Sequence, residues 1–519
     1  MRATNGFAPK VAGFFAGIGG IELGLERAGF QTELLCENDL AAAGVLKKHF
    51  PEVKLKGDIR RLTALPRVSL VSAGFPCQDL SQAGRTLGIA GSKSGLVAHL
   101  FRLLRTNANP DWVLLENVPF MLQLGGGGAM AWLTEQFEAL GYTWAYRTVD
   151  TRSFGLPQRR RRVLFLASQH HDPRTILFSD DAECPPQGHD ATAFGFYWTE
   201  GNTGLGWAKN CVPTLKGGSG LGIPSPPGVW FPDTRQIGVP NICDGERLQG
   251  FPEDWTKVSI GSKTLTAGSR WKLVGNAVSV PVSEWVGTRL REPGIYDKLR
   301  QQRLSKSEKW PLSGYGRDGE RFRVDISEFP KGEHFTPLRE FLKYGLDPLS
   351  LRAAQGFLGR FQASTLRKDP MFIAALQDLV RQHQGSTVPE LVTSKRMKSV
   401  RQKGTGAELT LVEALASSKL RFEQNTYAIE GVRTKPDVVF RRRKIAIYVD
   451  GCFWHSCPYH ATKPRNNSMT WEAKLLQNVN RDRANCQALR DRGWRVIRFW
   501  SHEKPAEMLR KVKAALKAG

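Results

Sequence analysis

The residue most suited to covalent chemistry is Cys77, in Gly74-Phe75-Pro76-Cys77-Gln78 directly after the apolar run VSLVSA. Carboxyl ends of parallel strands are where open α/β sheets place reactive groups. A thiolate held there is a soft nucleophile. Taken alone, the cysteine could equally be a small buried hydrophobe. Glu116-Asn117-Val118 at the end of the run WVLL shifts the balance, because a buried carboxyl beside a thiolate can stay protonated and hydrogen-bond a heterocycle nitrogen. Nearer the N-terminus, Phe15-Ala16-Gly17-Ile18-Gly19-Gly20 follows a strand-like run and opens a helical one. Such glycines permit a tight turn and close approach of a nucleotide-like ligand, although a plain turn has the same composition. Glu37 ends the next strand, where a carboxylate can accept both ribose hydroxyls, and Asp58 ends the third, suited to an adenine amino group. Those two acidic strand ends favour an adenosyl cofactor.

A second constellation lies near the C-terminus. Asp437 in KPDVVF and Asp450 in IAIYVDG are acidic strand residues, followed by Cys452-Phe453-Trp454-His455. Cys452-x4-Cys457-x2-His460, with His502 after a later strand, has zinc-ligand spacing, and a fortuitous cluster is the alternative.

The elements that must hold these groups follow from hydrophobic periodicity. VAGFFAG, TELLCEN, VSLVSAG, WVLLENV and RRVLFLAS read as buried strands, separated by the helical stretches IELGLERAGF, DLAAAGVLKKHF, LVAHLFRLLRT and AMAWLTEQFEALG. Strand alternating with helix predicts a parallel sheet covered on both faces. The stretch after residue 170 is rich in Gly, Pro and aromatics without helical period, which predicts a small separate lobe. Residues 293–393 predict a helical linker, and a second α/β pattern starts near Ser394. The chain has 519 residues, enough for two or three domains, with 41% hydrophobic residues. Its 74 Lys and Arg against 49 Asp and Glu give a net charge of +25, which favours a polyanionic partner through counterion release. Eight scattered cysteines do not form a disulfide scaffold. No apolar run reaches the ~20 residues of a membrane span and no secretory signal opens the chain, so a cytosolic protein is expected.

Residues 10–290 closely resemble the DNA (cytosine-5) methyltransferase family. The matching motifs occur in that family's order: FAGIGG, CEND, Gly57-Asp58, GFPCQ, ENV, QRRRR at 158–162, RLQGFP at 247–252 and GNAV at 275–278. The resemblance implies a Rossmann-like S-adenosylmethionine-dependent α/β domain over 10–169 and 244–292, with a target recognition lobe over 170–243. It implies that Cys77 attacks carbon 6 of a flipped cytosine and that Glu116 pairs with N3 and the exocyclic amine. Arg162 would contact the base oxygen, with Arg160 supporting it, and a phosphate-binding run is the plainer reading of QRRRR. Phe15, Gly17, Gly19, Glu37, Asp58 and Asn276 would hold the cofactor. Gln78 and Ser81 would close over the base, and Thr214-Leu215 resembles a dipeptide of the recognition lobe. The family usually carries an acid two positions before Phe15, where this chain has Gly13.

Residues 394–516 resemble the very-short-patch mismatch repair endonucleases through SKRMKSVRQKGTGAE, KPDVVF, VDGCFWH, NVNRDR and GWRVIRFW. The implied fold is a small restriction-endonuclease-like α/β domain. Asp437 would hold a catalytic magnesium, His455 would act as general base or phosphate contact, and Glu408 would assist. Phe453 and Trp454 would wedge into a distorted base step. Asp450 stands where some members carry histidine. Cys452, Cys457, His460 and His502 would bind a structural zinc.

The joint expectation is a methyltransferase of double-stranded DNA fused to an endonuclease that nicks at T·G mismatches, the product of 5-methylcytosine deamination. Two alternatives stay open: a single-chain restriction–modification enzyme, and a methyltransferase with a non-catalytic zinc module for DNA binding. A nicotinamide oxidoreductase built on the glycine turn explains neither PCQ nor ENV.

Overall fold

A computed structural model describes residues 8–75, 95–106, 110–185, 191–200, 204–218, 225–305, 307–334, 336–385, 406–418, 420–429, 434–450, 457, 482, 484–503 and 505–517. The chain divides into two compact units, Met1–Thr387 and Val388–Gly519.

The first unit is built on a ten-stranded sheet. Its strands are β1 (Lys10–Phe14), β2 (Gln31–Cys36), β3 (Lys54–Lys56), β4 (Leu70–Ala73), β5 (Trp112–Asn117), β6 (Thr143–Asp150) and β7 (Arg161–Ser168). β5 is buried at every residue, as expected for a strand covered on both faces. Helices α1 (Gly20–Arg27), α2 (Leu40–His49), α3 (Leu96–Leu104) and α4 (Gly128–Glu138) make the crossovers. α2 starts where Asp39 accepts from the amides of Ala41 and Ala42, an N-cap that satisfies two orphan donors. β1 pairs in parallel with β2 and β4, and β4 with β5. The sheet is not parallel throughout, because β7 runs antiparallel between β5 and β6. Between β6 and β7 the chain makes only a short turn over Thr151–Phe154 and a two-residue strand, too little for a crossover helix, so it reverses direction.

Two further helices, α5 (Ala267–Asn276) and α6 (Val280–Arg291), return to this sheet, and α6 packs on α1. Gly24 makes that possible, since a Cβ there would lie 2.5 Å from the Val280 carbonyl.

The lobe after residue 190 is a small antiparallel sheet containing β8 (Phe194–Phe196), β9 (Ala208–Lys209), β10 (Gly228–Phe231) and β11 (Gln236–Pro240). The described residues of 293–385 differ from the helical linker expected over 293–393, whose last residues lie outside the described ones. β12 (Gln301–Arg303), β13 (Ser313–Arg317) and β14 (Glu320–Val324) extend the large sheet beyond β6. β15 (Leu346–Pro348) pairs with β11 and completes five strands in the lobe. Helices α7 (Leu351–Ala363) and α8 (Pro370–Gly385) then cover that sheet. Phe372 lies 5.0 Å from Phe196 and 5.2 Å from Trp230, ring centre to ring centre, in one aromatic core.

The second unit has a four-stranded mixed sheet, β16 (Glu423–Gln424), β17 (Val438–Phe440), β18 (Ile445–Asp450) and β19 (Arg495–Trp500), with β18 and β19 parallel. Helices α9 (Gly406–Ser417) and α10 (Pro505–Lys517) pack together on it.

Candidate active sites

The carboxyl ends of β1, β2, β4 and β5 open into one cavity of about 500 Å³. Phe15, Gly17, Glu37 and Asp58 line one part of it, Glu116 and Arg162 another, and Asn276 on α5 closes a side. Six widely separated segments therefore converge on one space. Glu37 is anchored by the Gly17 amide on Oε2 (2.8 Å) and the Asp39 amide on Oε1 (2.7 Å), and burial pushes its carboxyl up from the ordinary range. Asp58 accepts from the Arg60 backbone and side chain at 2.9–3.0 Å, which holds its carboxyl low.

Arg162 Nε lies 2.9 Å from Glu116 Oε1, with both side chains largely buried. Desolvation lowers the Arg162 guanidinium, and Glu116 opposes that. A carboxyl–guanidinium pair at a cavity wall offers an acceptor and donors to a flat heterocycle. Asn117, to which the motifs assign no role, donates from Nδ2 to the Phe75 carbonyl (3.0 Å) and accepts from Val118. It fixes the chain just before Pro76-Cys77. Cys77, Gln78 and Ser81 themselves lie outside the described residues.

Arg160 and Gly19 do not line the cavity. Arg160 is buried and donates to the carbonyls of Leu215, Gly275 and Ala277. Gln158 accepts from the Leu215 amide and donates to the Leu248 carbonyl. Thr214 bonds the Arg159 carbonyl. The QRRRR run and Thr214-Leu215 thus clamp the lobe to the sheet domain. Gly19 adopts φ 82 before α1, where a Cβ would meet the Phe50 ring at 2.6 Å. Arg60 and Lys272 also line the cavity, and sequence reasoning misses them because exposed cations have no motif.

In the second unit Asp437 Oδ2 accepts from the Val449 amide at 2.7 Å, fixing the carboxylate beside β18. Asp450 receives two bonds of 2.6 Å from Arg498, which also reaches Asp482 at 3.1 Å. Asp450 is thus clamped to a guanidinium. Cys457 is buried, with Sγ 3.9 Å from His502 Nδ1. Glu408 falls within α9, its side chain outside the described residues, as are Cys452, Phe453, Trp454, His455 and His460.

This α/β sheet with a ligand cavity at its carboxyl ends is the fold of an S-adenosylmethionine-dependent methyltransferase. The family model for C-5 cytosine-specific DNA methylase matches residues 10–190, and that for DNA mismatch endonuclease Vsr matches residues 390–460. The Type II methyltransferase M2.BsuMI of Bacillus subtilis (strain 168) is 50% identical over 68% of this chain and 92% of its own length. The Type II nicking enzyme V.NaeI of Lentzea aerocolonigenes is 41% identical over 24% of this chain and 78% of its own. Among solved structures, the S. pombe Dnmt2 methyltransferase aligns over 55% of this chain and 98% of its own at a TM-score of 0.40 and 16% identity. The chain belongs to the C-5 cytosine-specific DNA methylase family and carries a C-terminal domain of the DNA mismatch endonuclease Vsr family. Its cofactor is S-adenosylmethionine and its substrate DNA. No helix among the described residues is long and apolar enough to cross a membrane.

Proposed function

We propose that the first unit methylates a flipped cytosine through Cys77 and that the second nicks DNA at T·G mismatches left by deamination of the methylated base. The observation that carries the first half is the shared cavity, in which Glu37 and Asp58 stand in one region and Glu116 with Arg162 in another. Phe15, Gly17, Glu37, Asp58 and Asn276 hold the cofactor, with the ribose on Glu37 and the adenine amine on Asp58. Glu37 fits that task, since each of its anchored oxygens keeps a second lone pair for a ribose hydroxyl.

S-adenosylmethionine, when bound, supplies an electrophilic methyl group. The Cys77 thiolate adds to carbon 6 of cytosine while Glu116 pairs with N3 and the exocyclic amine and stabilises the resulting enamine. Arg162 holds the base oxygen and keeps Glu116 in place. Once carbon 5 carries the methyl group, loss of its proton restores the double bond and expels Cys77. Arg160 acts only by positioning the recognition lobe.

That lobe combines residues 191–240 with 346–385, because α7 and α8 complete its aromatic core. In the second unit Asp437 holds magnesium. Asp450 orients Arg498 toward a phosphate, and His455 and Glu408 move protons. Cys452, Cys457, His460 and His502 bind zinc, which fits the 3.9 Å Cys457–His502 separation. Two such ligands of one tetrahedral zinc lie about 3.6 Å apart.

A duplex with 5-fluorocytosine at the target tests the methyl-transfer half, because fluorine cannot leave carbon 5 as a proton does. The enzyme becomes covalently bound to this duplex in the presence of cofactor. Survival of the adduct in Cys77→Ala overturns the assignment.

A further inference from the structure

Gly13 removes the acid expected two residues before Phe15, and the structure shows what occupies its place. A Cβ on Gly13 would lie 2.1 Å from Glu22 Oε1, so a carboxylate from α1 fills the space a β1 side chain would take. Glu22 is 1% exposed. Ser72 Oγ donates to its Oε1 at 3.0 Å, and its Oε2 has no hydrogen-bond partner among the described residues. Gly13 pairs with Ser72 across β1 and β4. Two residues further along the chain, just past the ends of β1 and β4, stand Phe15 and Gly74, both lining the cavity. The carboxylate therefore sits beneath the cavity floor at the β1–β4 end.

A buried carboxylate normally has a cation beside it. The charged groups that bias Glu22 are Glu26 and Glu37, both acidic. Burial pushes its carboxyl up to about 7. Above that pH the ionised carboxylate has no cation paired with it among the described residues, and a ligand that brings one would match it. With Glu37 and Asp58 taken as the adenosine partners, the Phe15–Gly74 end receives the amino-acid portion of the cofactor, whose ammonium is cationic.

We propose that Glu22 supplies from α1 the negative charge that attracts the ammonium at the amino-acid end of the cofactor, replacing a carboxylate on β1. This rests on the orientation of the cofactor given above. Glu22 is a positioning residue, since it acts from beneath the floor.

Isothermal titration of the full chain at pH 8 tests the proposal with two ligands. S-adenosylhomocysteine carries the ammonium, and 5′-methylthioadenosine has the same adenosine without it. Glu22→Gln weakens the first by roughly tenfold, the effect of one uncompensated charge interaction of ordinary size, and leaves the second within twofold. The exchange Gly13→Asp with Glu22→Ala returns the first to within about threefold of the parent, because the charge has moved to β1 in the same space. Unchanged binding of S-adenosylhomocysteine by Glu22→Gln overturns the proposal. Parallel weakening of both ligands also overturns it, since the residue would then be structural. Failure of the exchange while Glu22→Ala alone is weak overturns the replacement of one carboxylate by the other. Glu37→Ala provides the separate check: it weakens both ligands if the adenosine lies where assigned, and sparing of methylthioadenosine sinks the orientation itself.

Discussion

Replacing Glu22 with glutamine is expected to stabilise the cofactor-free protein at alkaline pH, although the same change weakens the cofactor. Burial raises the Glu22 carboxyl to about 7 from the 4.5 of an unfolded chain. A group raised on folding contributes stability that is fully present below its unfolded value and lost as the pH climbs through its folded value. Between pH 4.5 and 7 the parent therefore loses about 3 kcal/mol, because each pH step of one between those limits costs about 1.4 kcal/mol. Glutamine keeps the shape and an acceptor for Ser72 but has no charge to bury. Globular proteins unfold with roughly 2.1 cal/mol/K per residue. For a unit of 387 residues this is about 0.8 kcal/mol/K. The expected gain is then about 4 °C in the melting of the first unit at pH 8, and about zero at pH 4.5. Calorimetry on the full chain, following the larger transition at both pH values, reads this directly. A variant that melts at or below the parent at pH 8 would refute the reasoning, because burying the carboxylate would then carry no penalty.

Glu116→Gln should lower methyl transfer by about 10²–10⁴, since it removes the acid that polarises the base; tritium transfer from labelled cofactor measures it. Arg160→Lys should unfold the junction between sheet and lobe, costing about 3 kcal/mol or more in denaturant titration. An ammonium cannot reproduce the planar fork that reaches three carbonyls. Phe372→Ala should cost about 3–5 kcal/mol, because it empties an aromatic site between α8 and the lobe sheet. Protease nicking within 363–385 should accelerate while S-adenosylhomocysteine binding persists. His502→Ala should lower zinc content from one to near zero per chain by elemental analysis, and the smaller unit should lose its thermal transition.

The parallel core of the sheet was legible because β1, β2, β4 and β5 are largely buried and read as apolar runs between amphipathic helices. The reversal at β7 was not, since burial at the sheet centre looks the same in either direction. Residues 293–385 misled through their helices, whose amphipathic stripe is real but faces the lobe. The hairpin β13–β14 did leave a signal in Asp318-Gly319 between alternating residues. Both residues take positive φ, the requirement of a two-residue hairpin turn. In the sites, residues with a motif and a strand end were placed together: Phe15, Gly17, Glu37, Asp58, Glu116 and Arg162 meet in one cavity. Within QRRRR, Arg160 falls in the break between the two-residue strand Gln158–Arg159 and β7 and bonds three carbonyls of the junction, whereas Arg162 on β7 pairs with Glu116 at the cavity; a run of like residues does not show where the strand breaks. Glu22 carries no motif, and only the space above Gly13 reveals it. Arg498 likewise emerges only through register, opposite Tyr448 and within reach of Asp450.

The central claim, that one chain writes the methyl mark and repairs its decay, is tested by a single set of duplexes. Methylation mapping of DNA from cells expressing the chain first supplies the target site. Purified full-length protein with magnesium then meets that site in three forms: paired and methylated, paired and unmethylated, or with one T·G mismatch. Methyl transfer is expected at the paired unmethylated site, and a nick beside the thymine only in the mismatched duplex. Asp437→Ala should abolish the nick and leave methyl transfer intact. Cutting of paired unmethylated DNA would contradict the claim in favour of a restriction enzyme, and no cutting at all would reduce the second unit to a binding module.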